Sequence, residues 1–195
     1  AKAPMPRAQA AGISALLALV ATDEDVEAIC GDGEGLRFII KNLKIQESGH
    51  ALRSVLALLC KICRLNDANP AKVFGAKVMD GLKDFVTEKA RGDAAMRLGV
   101  SELLELLHPC LKVGGAVGQL ETLAPAGSVK FQNLKSTCLA LRVYSYSQEL
   151  TAEMLEGSTL ASLVVALNNA ASKDTDSAEE VLSAALLVLI GIQSQ

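Results

Sequence analysis

Residues 48–65 read SGHALRSVLALLCKICRL, and this stretch decides the fold. Apolar residues recur in it at three- and four-residue spacing, which predicts a helix. They occupy most of the helix circumference, and a helix with so wide an apolar face must be covered on two sides. A narrow line without large apolar side chains remains. It consists of His50, Arg53, Ala57, Lys61 and Arg64.

Two shorter helices are predicted upstream of this stretch. Thr22-Asp23-Glu24-Asp25 supplies N-cap candidates and early acidic residues, so a short helix should follow over 25–30. Gly31-Asp32-Gly33-Glu34-Gly35 breaks that helix, because glycine permits sharp turns. A medium helix then begins at Leu36, and Pro70 prevents the long helix from continuing. Short helix, glycine bend, medium helix and long apolar helix form one unit of about 45 residues.

The same order returns further along the chain. Gly81-Leu82 stands 46 residues after Gly35-Leu36, and the segments 148–155, 159–171 and 178–192 repeat the first unit almost completely. Two interpretations of the middle stay open. Residues 96–107 form either a short-then-medium pair, or part of one helix over 93–110 that is the third helix of the second unit.

These patterns divide the chain as follows. Residues 1–12 are expected to be disordered or expression-derived, and 13–193 to be a helical solenoid. Because the chain lacks an initiating Met, we expect a fragment of a longer protein. The predicted units are 13–20 (partial), 21–66, 67–112, 129–147 (partial) and 148–193, with a Gly- and Pro-containing loop over 113–128.

This organisation resembles the armadillo repeat, which shares its period with HEAT repeats. The resemblance implies an all-α, right-handed superhelix of about four repeats, whose third helices line a concave groove for peptides or partner domains. The resembling residues are Val26 to Cys30 with Gly35, Leu36 and Leu43; Gly99 with Leu103, Leu104, Leu106 and Leu107; and Glu156 and Gly157 with Leu160, Leu163 and Leu167.

The resemblance also implies where a partner would bind. Importin-alpha-like members read basic peptides with Trp and Asn, and the absence of Trp argues against that activity. Beta-catenin-like members present basic side chains to acidic partners. We therefore expect another protein or an extended, acidic segment in the groove, and a solvated face is the alternative interpretation of Arg53, Lys61 and Arg64. The expected groove residues are His50, Arg53, Lys61, Arg64, Lys135, Arg142 and Tyr146.

A second functional hypothesis also follows from the resemblance. Some armadillo-like proteins embrace the Hsp70 nucleotide-binding domain and act as exchange factors, so an Hsp70 co-chaperone role is the alternative to a plain scaffold or adaptor.

The helix predicted over 178–192 raises a separate question. Leu187 and Ile190 make its outer side apolar, whereas a terminal repeat should be polar outside. We expect this side to be covered by further repeats, by a partner or by a second copy.

Composition argues against several other classes of partner. The chain carries 19 basic and 22 acidic residues with 3% aromatic residues, unlike a nucleic-acid-binding protein. No uninterrupted apolar run reaches the ~18 residues of a membrane span, so no membrane insertion is expected. The five cysteines are odd in number and mostly embedded in apolar runs, which favours the reducing cytoplasm.

Candidate catalytic or metal motifs are weak. Cys60 and Cys63 have the spacing of half a zinc site, but no second pair follows. His50 and His108 have no nucleophile in a motif near them. The glycine bend at 31–35 lacks the residues of a P-loop or an EF-hand. We therefore predict no catalytic residues, no metal, no cofactor and no enzymatic activity.

Overall fold

The computed structural model of this 195-residue chain describes residues 6–46, 48–88, 93–126 and 130–194. These residues form α-helices with short 3₁₀ turns, and no strand occurs in the ranges just given. The helices are α1 (Pro6–Leu19), α2 (Asp23–Cys30), α3 (Glu34–Ile45), α4 (Gly49–Leu65), α5 (Asn69–Gly75), α6 (Val78–Glu88), α7 (Ala94–Leu107), α8 (Val113–Leu123), α9 (Phe131–Tyr144), α10 (Gln148–Leu155), α11 (Thr159–Ala171) and α12 (Asp176–Gln193).

The chain divides into two compact units, Ala1–Cys110 and Leu111–Gln195. In the first unit the third helices α1, α4 and α7 lie side by side, with α4 in the middle. The medium helix α3 packs against both α4 and α6. Neighbours on both sides bury the wide apolar face of α4, as predicted from the sequence, and the described residues confirm the all-α organisation.

Local sequence signals start the first complete repeat. The Thr22 side chain accepts a hydrogen bond from the Asp25 backbone N–H, and the Asp25 carboxylate accepts bonds from the backbone N–H groups of Ala21 (2.9 Å) and Thr22 (2.8 Å). This reciprocal arrangement caps α2 and lowers the pKa of Asp25 below its ordinary value. The helix therefore begins two residues before the predicted start.

The glycine bend between α2 and α3 is required by a close approach of backbone. A Cβ atom on Gly35 would lie 1.7 Å from the carbonyl oxygen of Ile29, and Gly33 has a φ of 77°. Only glycine satisfies both positions without strain.

In the second unit α9 and α12 are the third helices and pack against each other. The medium helices α8 and α11 also contact each other, and α11 packs against α12. A Cβ on Gly191 would lie 2.0 Å from Ser145 Oγ and 2.1 Å from Arg142 Nη1, so this glycine lets α12 approach the end of α9.

Two predictions about irregular segments are wrong. The loop predicted over 113–128 is helical at Val113–Leu123, because Val113, Val117 and Leu120 form a buried stripe whose packing outweighs the low helix propensity of the glycines. Of the segment 1–12, which was expected to be disordered or expression-derived, residues from Pro6 onward are helical, which contradicts disorder there, and residues 1–5 lie outside the described ranges.

The structure also decides the alternatives for the middle of the chain. Residues 94–107 form one continuous helix, α7, which packs against α4 as a third helix. A 3₁₀ turn at His108–Cys110 follows α7, and α8 begins at Val113.

Of the helices described, none taken singly is long and apolar enough to cross a membrane. The pair α10 and α11 reaches that length and composition only together, across a bend of 78°.

The close approach at Gly35 leads to a stability prediction. Gly35→Ala should destabilise the first unit by about 2–3 kcal/mol, because the obstructing atom belongs to the backbone and cannot rotate away. Gly118→Ala is the matched control, since no described atom lies within 4 Å of the point that its Cβ would occupy and helix propensity should stabilise α8 by ~1 kcal/mol. Urea unfolding followed by circular dichroism measures both. Equal effects of the two substitutions would contradict the backbone approach.

Candidate protein-binding surface

The outward side of α4 carries the line predicted from the sequence. His50, Arg53, Ala57 and Arg64 are exposed, and Lys61 is half-buried. These residues share one side of the helix because the other sides pack against neighbouring helices. The structure thus brings the four predicted binding residues of the first unit onto one surface.

The positive charges on this surface are largely compensated by neighbouring helices. Arg53 Nη1 lies 3.1 Å from Asp93 Oδ2, and Arg64 pairs with Glu102 of α7. Lys61 Nζ donates a hydrogen bond to the Leu17 carbonyl in the last turn of α1, at 3.0 Å. Exposed pairs of this kind contribute ~0–1 kcal/mol each, so they influence local potential more than stability.

Two apolar residues are exposed on the helices that the two ion pairs join. Leu98 on α7 is 71% exposed, and Ala57 on α4 is exposed as well. Leu98 stands between Asp93 and Glu102 in the α7 sequence, just as Ala57 stands between Arg53 and Arg64 in α4. We call Arg53, Ala57, Arg64 and Leu98 the α4–α7 surface.

The predicted binding residues of the second unit have other roles. Lys135 Nζ lies 3.0 Å from Glu180 Oε1 and joins α9 to α12. Arg142 and Tyr146 are buried, so their assignment to an open groove is wrong. Arg142 donates hydrogen bonds of 3.2 Å to Ser145 Oγ and to the Tyr146 hydroxyl, and its guanidinium lies 4.7 Å from the Tyr146 ring centroid. The approach of α12 through Gly191 covers this cluster, and no periodicity within α9 signals that approach.

The predicted apolar interface on α12 needs one correction. Ile190 is 54% exposed as expected, but Leu187 is only 5% exposed. Leu187 shares a side of α12 with Glu180 and Gly191, and both of these meet α9. The neighbouring Leu186 is exposed in its place.

A cavity that the sequence did not indicate lies between α8 and α9. Its volume is about 660 Å³, and it was missed because α8 was predicted to be a loop. Its lining offers amide and hydroxyl groups for hydrogen bonds and carries no titratable side chain. The lining residues are Gly115, Gly118, Gln119, Thr122, Leu123, Asn133, Ser136 and Thr137.

The cysteines of the candidate redox or metal pair lie in the core. Burial raises the pKa of Cys60 to about 12, and Glu102 adds to this effect. Burial, with Cys110 nearby, likewise raises the pKa of Cys63 to about 12. Reactive cysteines lie in partly exposed, electropositive surroundings, whereas Cys60 and Cys63 are buried in the apolar core, which is typical of structural cysteines. Within the described ranges, no group of three His, Cys, Asp or Glu residues is placed to hold a metal ion.

Comparison with known proteins finds similarity only to solved structures. No family profile matches the chain, and no curated protein matches it. An engineered protein from the Northeast Structural Genomics Consortium is 15% identical, with a TM-score of 0.46, over 100% of this chain and 78% of that one. A designed armadillo repeat protein is 15% identical, with a TM-score of 0.44, over 98% and 96%. Another, in complex with the peptide (KR)4, is 15% identical, with a TM-score of 0.41, over 96% and 84%.

Burial of the thiols predicts their reactivity. At pH 8 a thiol whose pKa is about 12 is ~0.01% thiolate, so Cys60 and Cys63 should react with Ellman's reagent at least ~1000-fold more slowly in the folded chain than in urea. The half-buried Cys110 should react first and serves as the internal control. Peptide mapping after timed labelling assigns each site. Rapid labelling of Cys60 in the folded chain would show that its surroundings are open.

Proposed function

We propose that this chain is a protein-binding scaffold that holds an extended segment of a partner on the α4–α7 surface. The observation that carries this proposal is the exposed Leu98, which stands in the sequence between Asp93 and Glu102, the residues that pair with Arg53 and Arg64. An apolar centre with a charged, solvated rim is the usual anatomy of a protein interface.

The surface favours a partner of particular chemistry. Covering Leu98 removes apolar area from water, which is worth about 25 cal/mol per Å². Arg53 and Arg64 are both exposed and can exchange their intramolecular carboxylates for those of a partner. Eleven residues separate them, or ~16 Å along the helix, a distance that about five residues of an extended chain span. The matching segment has an apolar residue between two carboxylates about five residues apart.

A cytoplasmic location is part of the same proposal. All five cysteines are free, and four of them are buried. A core built with free thiols suits a reducing compartment.

The proposal predicts how peptides select this chain. Peptides isolated on the intact protein from a random dodecapeptide phage library should carry a central Leu, Ile or Phe flanked by Asp or Glu. Leu98→Lys should weaken their binding at least ~10-fold, equivalent to about 1.4 kcal/mol. The double variant Arg53→Glu with Arg64→Glu should do the same through charge repulsion. Fluorescence anisotropy with the labelled peptides measures each affinity.

The matched control is Arg37→Glu. Arg37 is also exposed and paired, with Glu34 on α3, but it lies away from the α4–α7 surface. Its substitution should leave peptide affinity unchanged. Selected peptides that bind the Leu98 and arginine variants as tightly as the unmodified chain would place the binding surface elsewhere.

A further inference from the structure

The third helices α1 and α7 of the first unit contain a similar stretch of sequence. Residues 12–20 read GISALLALV and residues 99–107 read GVSELLELL, so the two segments share Gly, Ser and three Leu residues. In this alignment the buried Ile13 of α1 and the buried Val20 directly after it match the buried Val100 and Leu107 of α7. Gly12 of α1 therefore stands where Gly99 stands in α7.

The surroundings of Gly99 show what this position does. Leu56 Cδ1 of α4 lies 3.2 Å from the point where a Cβ on Gly99 would be, and Cys60 Sγ lies 3.9 Å from the Gly99 carbonyl oxygen. The glycine thus lets α7 receive the side of α4 that carries Leu56 and Cys60. At Gly12 no described atom lies within 4 Å of the equivalent point, and Leu19, seven residues later on the same side, is 72% exposed.

In α12, which is also a third helix, the side that corresponds to Leu56 and Cys60 of α4 is exposed to solvent. When α4 is aligned on α12 by its core, Leu56, Cys60 and Cys63 fall at Leu182, Leu186 and Leu189. The three residues of α4 are buried. Their counterparts in α12 are more exposed, because Leu182 and Leu189 are half-buried and Leu186 is 49% exposed. The alignment matches Leu52, Val55, Leu58, Leu59 and Ile62 with the buried Ala178, Val181, Ala184, Ala185 and Val188.

The second unit gives independent support for the role of this side. When α9 is aligned on α4 so that the buried Leu134, Cys138 and Leu141 match Val55, Leu59 and Ile62, Lys135 and Arg142 take the positions of Leu56 and Cys63. Lys135 pairs with Glu180 of α12, and Arg142 lies against Gly191 of α12. In both units, therefore, this side of a third helix holds the third helix that follows it.

Charged residues near the N-terminal ends of α1 and α12 are also placed to form an ion pair. The Arg53–Asp93 pair joins the first turn of α4 to the N-cap of α7. Glu179 of α12 takes the position of Arg53, and Arg7 of α1 is one residue from the position of Asp93. Both Glu179 and Arg7 are exposed. Packing α1 parallel to α12 would restore this ion pair with its signs exchanged.

We propose that a second copy of this chain docks its α1 against the Leu182, Leu186 and Leu189 side of α12, with the helices parallel as α4 and α7 are. Gly12 would receive Leu182 and Leu186, and Leu19 would become buried.

The contact joins two different surfaces, so each copy keeps one surface free and assembly continues into a ring or a filament. One helix pair buries less than the ~1,200 Å² of a standard interface, so assembly depends on concentration. The proposal is independent of the α4–α7 surface.

Two variants test the contact by blocking one surface each. Gly12→Lys fills the space on α1 without an intramolecular clash, and Leu186→Lys places a charge on α12. In sedimentation velocity, the sedimentation coefficient of the unmodified chain should rise with concentration, and each variant alone should remain monomeric. An equimolar mixture of the variants should form a one-to-one dimer, because each variant retains the surface that the other lacks.

Matched controls separate the contact from general effects of lysine. Gly114→Lys and Leu160→Lys make the same exchanges at an open glycine of α8 and at an exposed leucine of α11, and both should assemble as the unmodified chain does. Circular dichroism confirms that each variant is folded. If Leu186→Lys unfolds, Leu186→Gln replaces it.

Several results would overturn the proposal. A chain that stays monomeric at every concentration has no such contact. Assembly that persists in both single variants uses other surfaces. If Gly12→Lys alone still dimerises while Leu186→Lys does not, the contact is symmetric between two α12 helices. A mixture of the two variants that remains monomeric also excludes the contact.

Discussion

The helix α4 is apolar around most of its circumference, so it requires neighbours on both sides, and the first unit is organised around this requirement. The hydrophobic effect is the dominant favourable term in folding and is roughly proportional to buried apolar area. One neighbour would leave much of that area in water. Stacking α1 and α7 on opposite sides buries it, while α3 covers the inner side. The repeat follows from this geometry, because each third helix both covers its predecessor and needs a successor.

Close approach of the helices depends on glycine at a few positions. Gly35, Gly99 and Gly191 lie where a side chain would meet backbone or a packed neighbour. Polar contacts then fix the register between neighbouring helices, as Arg53 does with Asp93 and Lys135 with Glu180. Exposed ion pairs contribute little to stability. Their consequence concerns the surface, because they offset the positive charges of the α4 line, while Leu98 is exposed on the neighbouring α7.

Because each third helix needs a neighbour on both sides, the exposed sides of α1 and α12 can be explained in the same way. Leu182, Leu186 and Leu189 occupy positions that are buried in α4 by the helix that follows it. Gly12 and Leu19 lie on the corresponding opposite side of α1. A side chain built to be covered, yet exposed, marks a place for association. The chain thus carries two kinds of candidate interface, the outward face of its stacked helices and the exposed sides of α1 and α12.

Local and periodic features were determined by the sequence alone. Periodicity and capping rules find several features whose residues lie within one or two turns of each other. These are the all-helical organisation, the Thr22 cap, the Gly31–Gly35 bend and the polar line of α4.

Tertiary structure decided the rest. The helix α8 exists because packing outweighs its glycines, and Arg142 and Tyr146 are buried because α12 approaches through Gly191, about fifty residues away in sequence. Leu187 rather than Leu186 is buried because α9 lies on that side of α12. A helix with apolar residues on several sides does not specify which side receives a neighbour, and only long-range packing makes that choice.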